Sequence, residues 1–340
     1  EVPVYVDSPL ANGATEVFAR HPECYDSEAA AVQSADGSLF AAGGGEPGVA
    51  GELKLWSVAD GKLLKTFKGH EDAIYSLALA PEIGAIFVGS RGPNLHAVVD
   101  RDGRYETVVP LAHDLRMANG VAYHDGYLYL AEQHRISRYR PRRGALAPSN
   151  LEILYDRLPD RSHHGWRYAV VGPDRKLYVA VGSPCNVCSP TGVEGSIIRM
   201  GLDGSGLEVF ARGIRNSVGI DFHPKTGEAY FTDNGADGMG DDSPPDELNH
   251  APSAGLDFGF PYYGGGRDVT REYRGRKAPQ GATFPIVEFG AHVAALGVHF
   301  YRGRMFPEAY RTDAFVAQHG SWNRSTPDGY RVMRVRFDAA

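Results

Sequence analysis

The sequence predicts an all-β chain folded as a six-bladed β-propeller of four-stranded antiparallel blades, and three observations predict it. First, one apolar strand text recurs six times. It begins at Leu39 (LFAAGGG), Ile86 (IFVGSRG), Leu128 (LYLAEQH), Leu177 (LYVAVGS), Ala229 (AYFTDNG) and Ala314 (AFVAQHG), at intervals of 47, 42, 49, 52 and 85 residues. Propeller blades repeat at about 40 to 50 residues, and six of them close a ring around a channel. Second, most copies follow a turn such as Asp36-Gly37, Asp125-Gly126, Pro173-Asp174 or Thr226-Gly227. Most also precede another alternating strand, such as Leu53-Lys54-Leu55-Trp56 or Ile197-Ile198-Arg199-Met200. Third, 42 glycines and 22 prolines among 340 residues, with 42% hydrophobic content, suit many short strands around a large core. A β-sandwich with irregular strands explains neither the spacing nor the repeated text.

In chain order, residues 1–29 read as an N-terminal leader or fused fragment, helical around 11–21 or disordered, and residues 30–340 as a single propeller domain. The unit over 30–80 supplies one blade. Over 163–188 a paired histidine and an arginine (His163, His164, Arg167) stand just before a β-hairpin, in which Val170-Val171 and Leu177-Tyr178-Val179-Ala180-Val181 flank the Pro173-Asp174 turn. The segment Arg215-Asn216-Ser217-Val218-Gly219 repeats the order of polar head and then apolar strand. Successive blade tips therefore present side chains to one shared site. The 85-residue interval holds an insertion over 236–290, with an acidic cluster (Asp237, Asp241, Asp242, Asp246, Glu247) and an aromatic stretch (Phe258, Phe260, Tyr262, Tyr263). Long loops in compact domains are functional or disordered, and these aromatics argue against a linker.

Charge and composition remove several function classes. The formal net charge is −7, from 35 basic and 42 acidic residues, so there is no electrostatic footprint for nucleic acid. No apolar run reaches the ~20 residues of a membrane helix. Three cysteines make no disulfide framework; Cys185 and Cys188 either close a local bridge or act in redox chemistry, with Cys24 left over.

Several blocks then carry a family resemblance: LPDRSHHGWRYAVVGPDRKLYVAVGSPCNVC, ARGIRNSVGIDFHP, TDNGADGMGDDSPPDELN, AGLDFGFPYYGG, GAHVAALGVHFY and QHGSWNRSTPDGYRVMRVRF. From about residue 86 to 340 the chain resembles the sorbosone dehydrogenase type of soluble pyrroloquinoline quinone-dependent sugar dehydrogenase. The resemblance implies a quinone over the channel, a Ca2+ ion that activates it, hydride transfer to the quinone, and a histidine that takes the substrate proton. It implies a sugar or sugar-derived aldehyde as substrate, an external electron acceptor, and a periplasmic or secreted location.

Residue by residue, His164 resembles the catalytic base, eight positions before Gly172, and neutral imidazole is a competent proton acceptor near neutrality. The alternative is that one histidine of the pair caps a strand. Arg215 and Asn216 resemble the pair that touches the quinone, against a blade-tip salt bridge as the structural alternative. Arg91, His292, Trp322, Asn323 and Arg324 resemble further quinone contacts, since a flat tricarboxylate takes cations at its edge and a ring against its face. Asn323-Arg324-Ser325 is also a glycosylation sequon, and a propeller tryptophan also serves as core. Gly235, Ala236 and Asp237 match the calcium positions, with Asp241 and Asp242 nearby; a metal-free acidic loop is the alternative.

The chain also departs from that family. The segment over 30–80 resembles a WD-repeat blade, with Leu55-Trp56 near a strand end and Gly69-His70 before the next strand. Residues 1–29 resemble a β-CASP fragment of metallo-β-lactamase-type RNA nucleases without their His-x-His-x-Asp-His motif, so nuclease activity is not implied. The family continues with a further blade after the position of Ala340, and the WD-like unit is expected to take its place in the ring. Two other functions stay open. One is a metal-dependent sugar lactonase that would draw on Asn119, Asn216 and Asp233; the other is a non-catalytic binding scaffold.

Overall fold

A computed structural model describes residues 15–20, 28–33, 38–46, 48–101, 104–303 and 306–337. The ring has six blades. The first comprises Glu28–Gln33, Leu39–Glu46, Ala50–Ser57 and Leu63–His70, and the second Ile74–Ala80, Ala85–Ser90, Leu95–Arg101 and Arg104–Ala112. The third comprises Gly120–His124, Tyr127–Ala131, Ile136–Tyr139 and Glu152–Tyr155; the fourth Ala169–Val171, Lys176–Val181, Ser196–Gly201 and Glu208–Arg212. The fifth comprises Ile220–Phe222, Ala229–Asp233, Pro245–Ala251 and Val287–Ala291; the sixth Ala295–Phe300, Ala314–Gln318 and Arg331–Val335, completed by Thr15–Arg20. Each strand pairs antiparallel with the next. The one addition is Leu256–Asp257, which joins the outer edge of blade 4 in parallel with Glu208–Arg212. Among the described residues the helical segments are three short 3-10 turns, and no helix is long and apolar enough to cross a membrane.

The six recurring texts are the second strands of the six blades. In blades 2 to 5 their near-continuous apolar character follows from burial on both faces, because successive side chains point to opposite sides of a strand. Leu177, Val179 and Val181 pack toward blade 3, in a cluster with Tyr129, Ala131 and Ile136. Tyr178 and Ala180 point the other way, into a cluster with Ile220, Phe222 and Phe231 of blade 5. In blade 3, Leu128 and Leu130 likewise join Phe87, Leu95 and Ala97 of blade 2. Truncating a fully buried ring such as Phe231 would therefore cost about 3–5 kcal/mol.

The first strands of successive blades lie side by side around the axis, and the ring closes between Ala295–Phe300 and Glu28–Gln33. Such close approach needs small residues. A Cβ on Gly120 would stand 1.8 Å from the carbonyl oxygen of Arg167 on blade 4.

One expectation met a different outcome at the N-terminus. Within 11–21, expected to be helical or disordered, Thr15–Arg20 is a strand paired antiparallel with Arg331–Val335, Thr15 opposite Val335 and Arg20 opposite Arg331. The remainder of the predicted leader, Cys24 included, lies outside the described residues.

Candidate active site

In an antiparallel hairpin the start of the first strand and the end of the second lie at the same end. The loops entering the first strands of blades 4, 5 and 6 (163–168, 214–219, 292–294) therefore meet the loops leaving their second strands (182–189, 234–244, 319–330) on one face of the ring.

His164 sits on this face with φ +49° and is buried. Its Nδ1 lies 3.0 Å from the carbonyl oxygen of Ser183 and 3.2 Å from Ser183 Oγ. Since a carbonyl can only accept, Nδ1 carries the proton and Nε2 keeps its lone pair. Among the described residues Nε2 has no hydrogen-bond partner. Burial, then the Arg215 guanidinium and the neighbouring His163, push its pKa down to about 2, which keeps the ring neutral. The exposed His163 packs at 4.0 Å between ring centroids. Gly182 makes room for the site: a Cβ there would lie 2.5 Å from His164 Cβ and 3.2 Å from Asn216 Oδ1.

Ser183 also links His164 to Arg215, since its backbone N–H donates to the Arg215 carbonyl at 2.8 Å. The backbone N–H groups of Arg215 and Asn216 donate to the two oxygens of Asp233 at 2.8 and 2.6 Å, so one carboxylate fixes both residues. The buried Arg215 guanidinium donates through Nε to the Asn186 carbonyl (3.1 Å) and through Nη1 to the Asn234 carbonyl (3.1 Å). Its Nη2 donates to Asn186 Oδ1 (2.8 Å) and Asp237 Oδ2 (2.7 Å). Asp237 Oδ1 in turn accepts from Asn323 Nδ2 at 2.6 Å. Asn323 Nδ2 lies 3.5 Å from His292 Nδ1, and His292 Nε2 donates to the Gly240 carbonyl at 2.8 Å.

His164, Arg215, Asn216, Asp237, His292 and Asn323 are thus one connected cluster drawn from three blades. Arg324 lies beside it, donating to the carbonyls of Asp241 and Ala291 and pairing with Asp242 at 3.3 Å. Arg91 comes from blade 2, exposed, with its guanidinium 6.0 Å from the ring of Trp166. Trp322 is 80% exposed. Arg167 plays a structural part: it is buried and donates to the carbonyls of Pro159, His164 and Trp166.

At the expected calcium positions, Gly235 N–H donates to Asp246 Oδ1 (2.7 Å) and Ala236 N–H to the Gly264 carbonyl (2.6 Å). The Asp237 carbonyl already accepts from Asn186 Nδ2 at 2.9 Å. Beneath the loop lies a narrow pocket lined by Arg215, Asp233, Asn234, Gly235 and Glu247. Burial raises the pKa of three nearby carboxyls, Asp233, Asp246 and Glu247, above the ordinary carboxylate range. Among the described residues no three His, Cys, Asp or Glu side chains come together as a metal cluster. Asn234 Oδ1, however, is buried without a partner beside Gly235.

The sequence reading missed Ser183 and Asn186. Asn186 stands between Cys185 and Cys188, which are joined as a disulfide, and that position was the one available signal.

Comparison with known proteins adds the following. Residues 124–323 match the family model described as Glucose / Sorbosone dehydrogenase. An uncharacterized protein of Borreliella burgdorferi is 36% identical over 269 residues, covering 75% of this chain and 70% of that protein. A Trichoderma reesei enzyme of the carbohydrate-active family AA12 superposes with a TM-score of 0.66 at 19% identity, covering 77% of each chain. The holo pyranose dehydrogenase PQQ domain of Coprinopsis cinerea gives 0.61 at 19% identity, covering 75% of this chain and 73% of that one. At these identities the two structures show the fold.

Proposed function

The chain belongs to the glucose/sorbosone dehydrogenase family, and from that premise we propose that it is a quinone-dependent oxidoreductase acting on a sugar or sugar-derived aldehyde, aldose or sorbosone-like. Its cofactors on this reading are pyrroloquinoline quinone and Ca2+, and its second partner is an external electron acceptor. The place of work, by the same family likeness, is the periplasm or the cell exterior.

The donor set suits these groups. For a flat tricarboxylate there are the exposed Arg91 guanidinium and the open face of Trp322. Arg215 adds the one N–H left over after its four bonds. For a hard cation there are the unpartnered Asn234 Oδ1 and the main chain of Gly235 and Ala236, whereas the Asp237 carbonyl is already engaged. Bound there, the quinone supplies a two-electron acceptor and the cation a Lewis acid.

The single feature that carries the reading is His164. Oxidising a sugar hydroxyl removes a hydride and a hydroxyl proton, and Nε2, unprotonated and without a partner among the described residues, is placed to take that proton, a transfer favoured once carboxylates bound beside it offset the Arg215 charge that lowers its pKa. Ser183 holds the ring in the required tautomer. Arg215, fixed in its fork of acceptors, offers a stationary positive charge to an oxygen that becomes negative. The lactonase alternative loses ligands here, because Asn119 Oδ1 accepts from Arg167 N–H at 2.8 Å and both Asp233 oxygens are engaged by amides.

An absorbance titration with pyrroloquinoline quinone, with and without Ca2+, tests the class, followed by dye reduction with aldoses and sorbosone. Failure of the quinone to bind overturns the class. Binding without oxidation of any sugar overturns the substrate assignment.

A further inference from the structure

Asn186 is hydrogen-bonded to two residues of the cluster that it does not neighbour in sequence. Its Oδ1 accepts from Arg215 Nη2 and from the backbone N–H of Asp237, both at 2.8 Å. Its Nδ2 donates to the Asp237 carbonyl at 2.9 Å, and its own carbonyl accepts from Arg215 Nε at 3.1 Å. One residue of a blade 4 loop thus binds the segment that enters blade 5 and the loop that leaves that blade's second strand.

The geometry decides which contact orients the guanidinium. Arg215 has several rotatable bonds, and its plane is set only when Nε and an Nη are held together. Asn186 supplies an acceptor to each. The remaining side-chain ion pair is with Asp237, whose side chain is 32% exposed, and a pair that open to solvent orients a partner weakly. Asn186 has no regular secondary structure of its own; it lies in the four-residue loop closed by the Cys185–Cys188 disulfide. That loop is tied back by Ser183 Oγ, which donates to the Cys185 carbonyl at 2.7 Å, and the same Ser183 carbonyl holds His164.

We propose that Asn186 is a positioning residue that fixes the plane of the Arg215 guanidinium, and that the Cys185–Cys188 disulfide keeps it in place, so that reducing the disulfide releases Arg215. The inference rests on the reading of Arg215 as a quinone contact, and its test has an arm that does not depend on turnover.

The test uses the full-length 15N-labelled chain. The Arg215 Nε–H and Nη2 resonances are assigned by their loss in R215K, and their hydrogen exchange is followed in the wild type, in N186A, and in the wild type reduced with a phosphine. The expected result is slow Nε–H exchange in the oxidised wild type and at least roughly tenfold faster exchange in the reduced chain; N186A, which keeps the main-chain acceptor of Nε and loses the Oδ1 acceptor of Nη2, should show that gain in the Nη2 protons. In the quinone-loaded enzyme kcat should fall by roughly ten- to a hundredfold with KM for the sugar nearly unchanged. If N186A does not fold, the reduced wild type decides. An Nε–H that stays protected after reduction overturns the proposal, as do Nη2 protons that stay protected in N186A, and so does a freed Nε–H with kcat unchanged. A wild type that oxidises no sugar overturns the oxidoreductase reading alone, since the exchange measurement still decides whether Asn186 holds Arg215.

Discussion

The Nδ1 of His164 donates to the carbonyl oxygen of Ser183 at 3.0 Å, and this contact leaves Nε2 as the basic atom of the site. His164→Ala is expected to lower kcat by about 10²- to 10⁴-fold, the range for losing a general base, with quinone affinity changed only a few-fold. Stopped-flow dye reduction alongside an equilibrium quinone titration separates the two quantities. Equal loss of both would mean that His164 acts in binding.

Gly182→Ala is expected to disturb the site without touching any polar group. Its new Cβ would stand 2.5 Å from His164 Cβ, too close for either atom to stay where it is. Overpacking of this kind costs about 1–3 kcal/mol, and the displaced imidazole should lower kcat/KM at least tenfold. Urea denaturation and kinetics on the same preparation check both parts; a variant with wild-type kinetics would show that His164 has room to move.

Arg215→Lys should fare no better than Arg215→Ala. An ammonium cannot reach the Asn186 carbonyl, Asn186 Oδ1, Asn234 carbonyl and Asp237 carboxylate together. Quinone affinity is expected to fall at least roughly tenfold in both variants, since a charge-assisted contact contributes about 1.5–3 kcal/mol. Full affinity in the lysine variant would reduce the role of Arg215 to net charge.

His70 makes stability depend on pH. Both of its ring nitrogens are buried without a partner, its ring lies 5.4 Å from that of His96, and burial lowers its pKa to about 4 from an ordinary 6.5. The unfolded chain therefore takes up this proton first as pH falls. Its contribution is complete above about pH 6.5 and declines toward pH 4, by about 3 kcal/mol in all. Urea unfolding of wild type and His70→Leu across that range should show the wild type losing more stability; parallel curves would remove His70 as the cause.

The blades were legible because the second strands of blades 2 to 5 are buried on both faces, and that of blade 6 on one, so that one apolar text repeats. That text marks where a strand lies, yet says nothing about partners far away in sequence. For that reason residues 11–21 read as helical or disordered, although Arg331–Val335 holds Thr15–Arg20 as a strand. The same limit applied to the site. His164 and Arg215 could be singled out by residue type and motif, whereas Asn186 and Ser183 are ordinary polar residues whose importance arises from tertiary hydrogen bonds. The carbonyl of Asp237, matched to calcium by its motif, also accepts from Asn186 Nδ2, a contact across 51 positions that no local pattern announces.

The pairing of Thr15–Arg20 with Arg331–Val335 also sets an order of events during synthesis. Thr15–Arg20 leaves the ribosome without this partner and waits for Arg331–Val335 to emerge, roughly 15 to 60 seconds later at ordinary elongation rates of about 5–20 residues per second. Throughout that wait an unsatisfied strand edge is available to other chains, which makes the nascent polypeptide a natural client for chaperones that shield such edges.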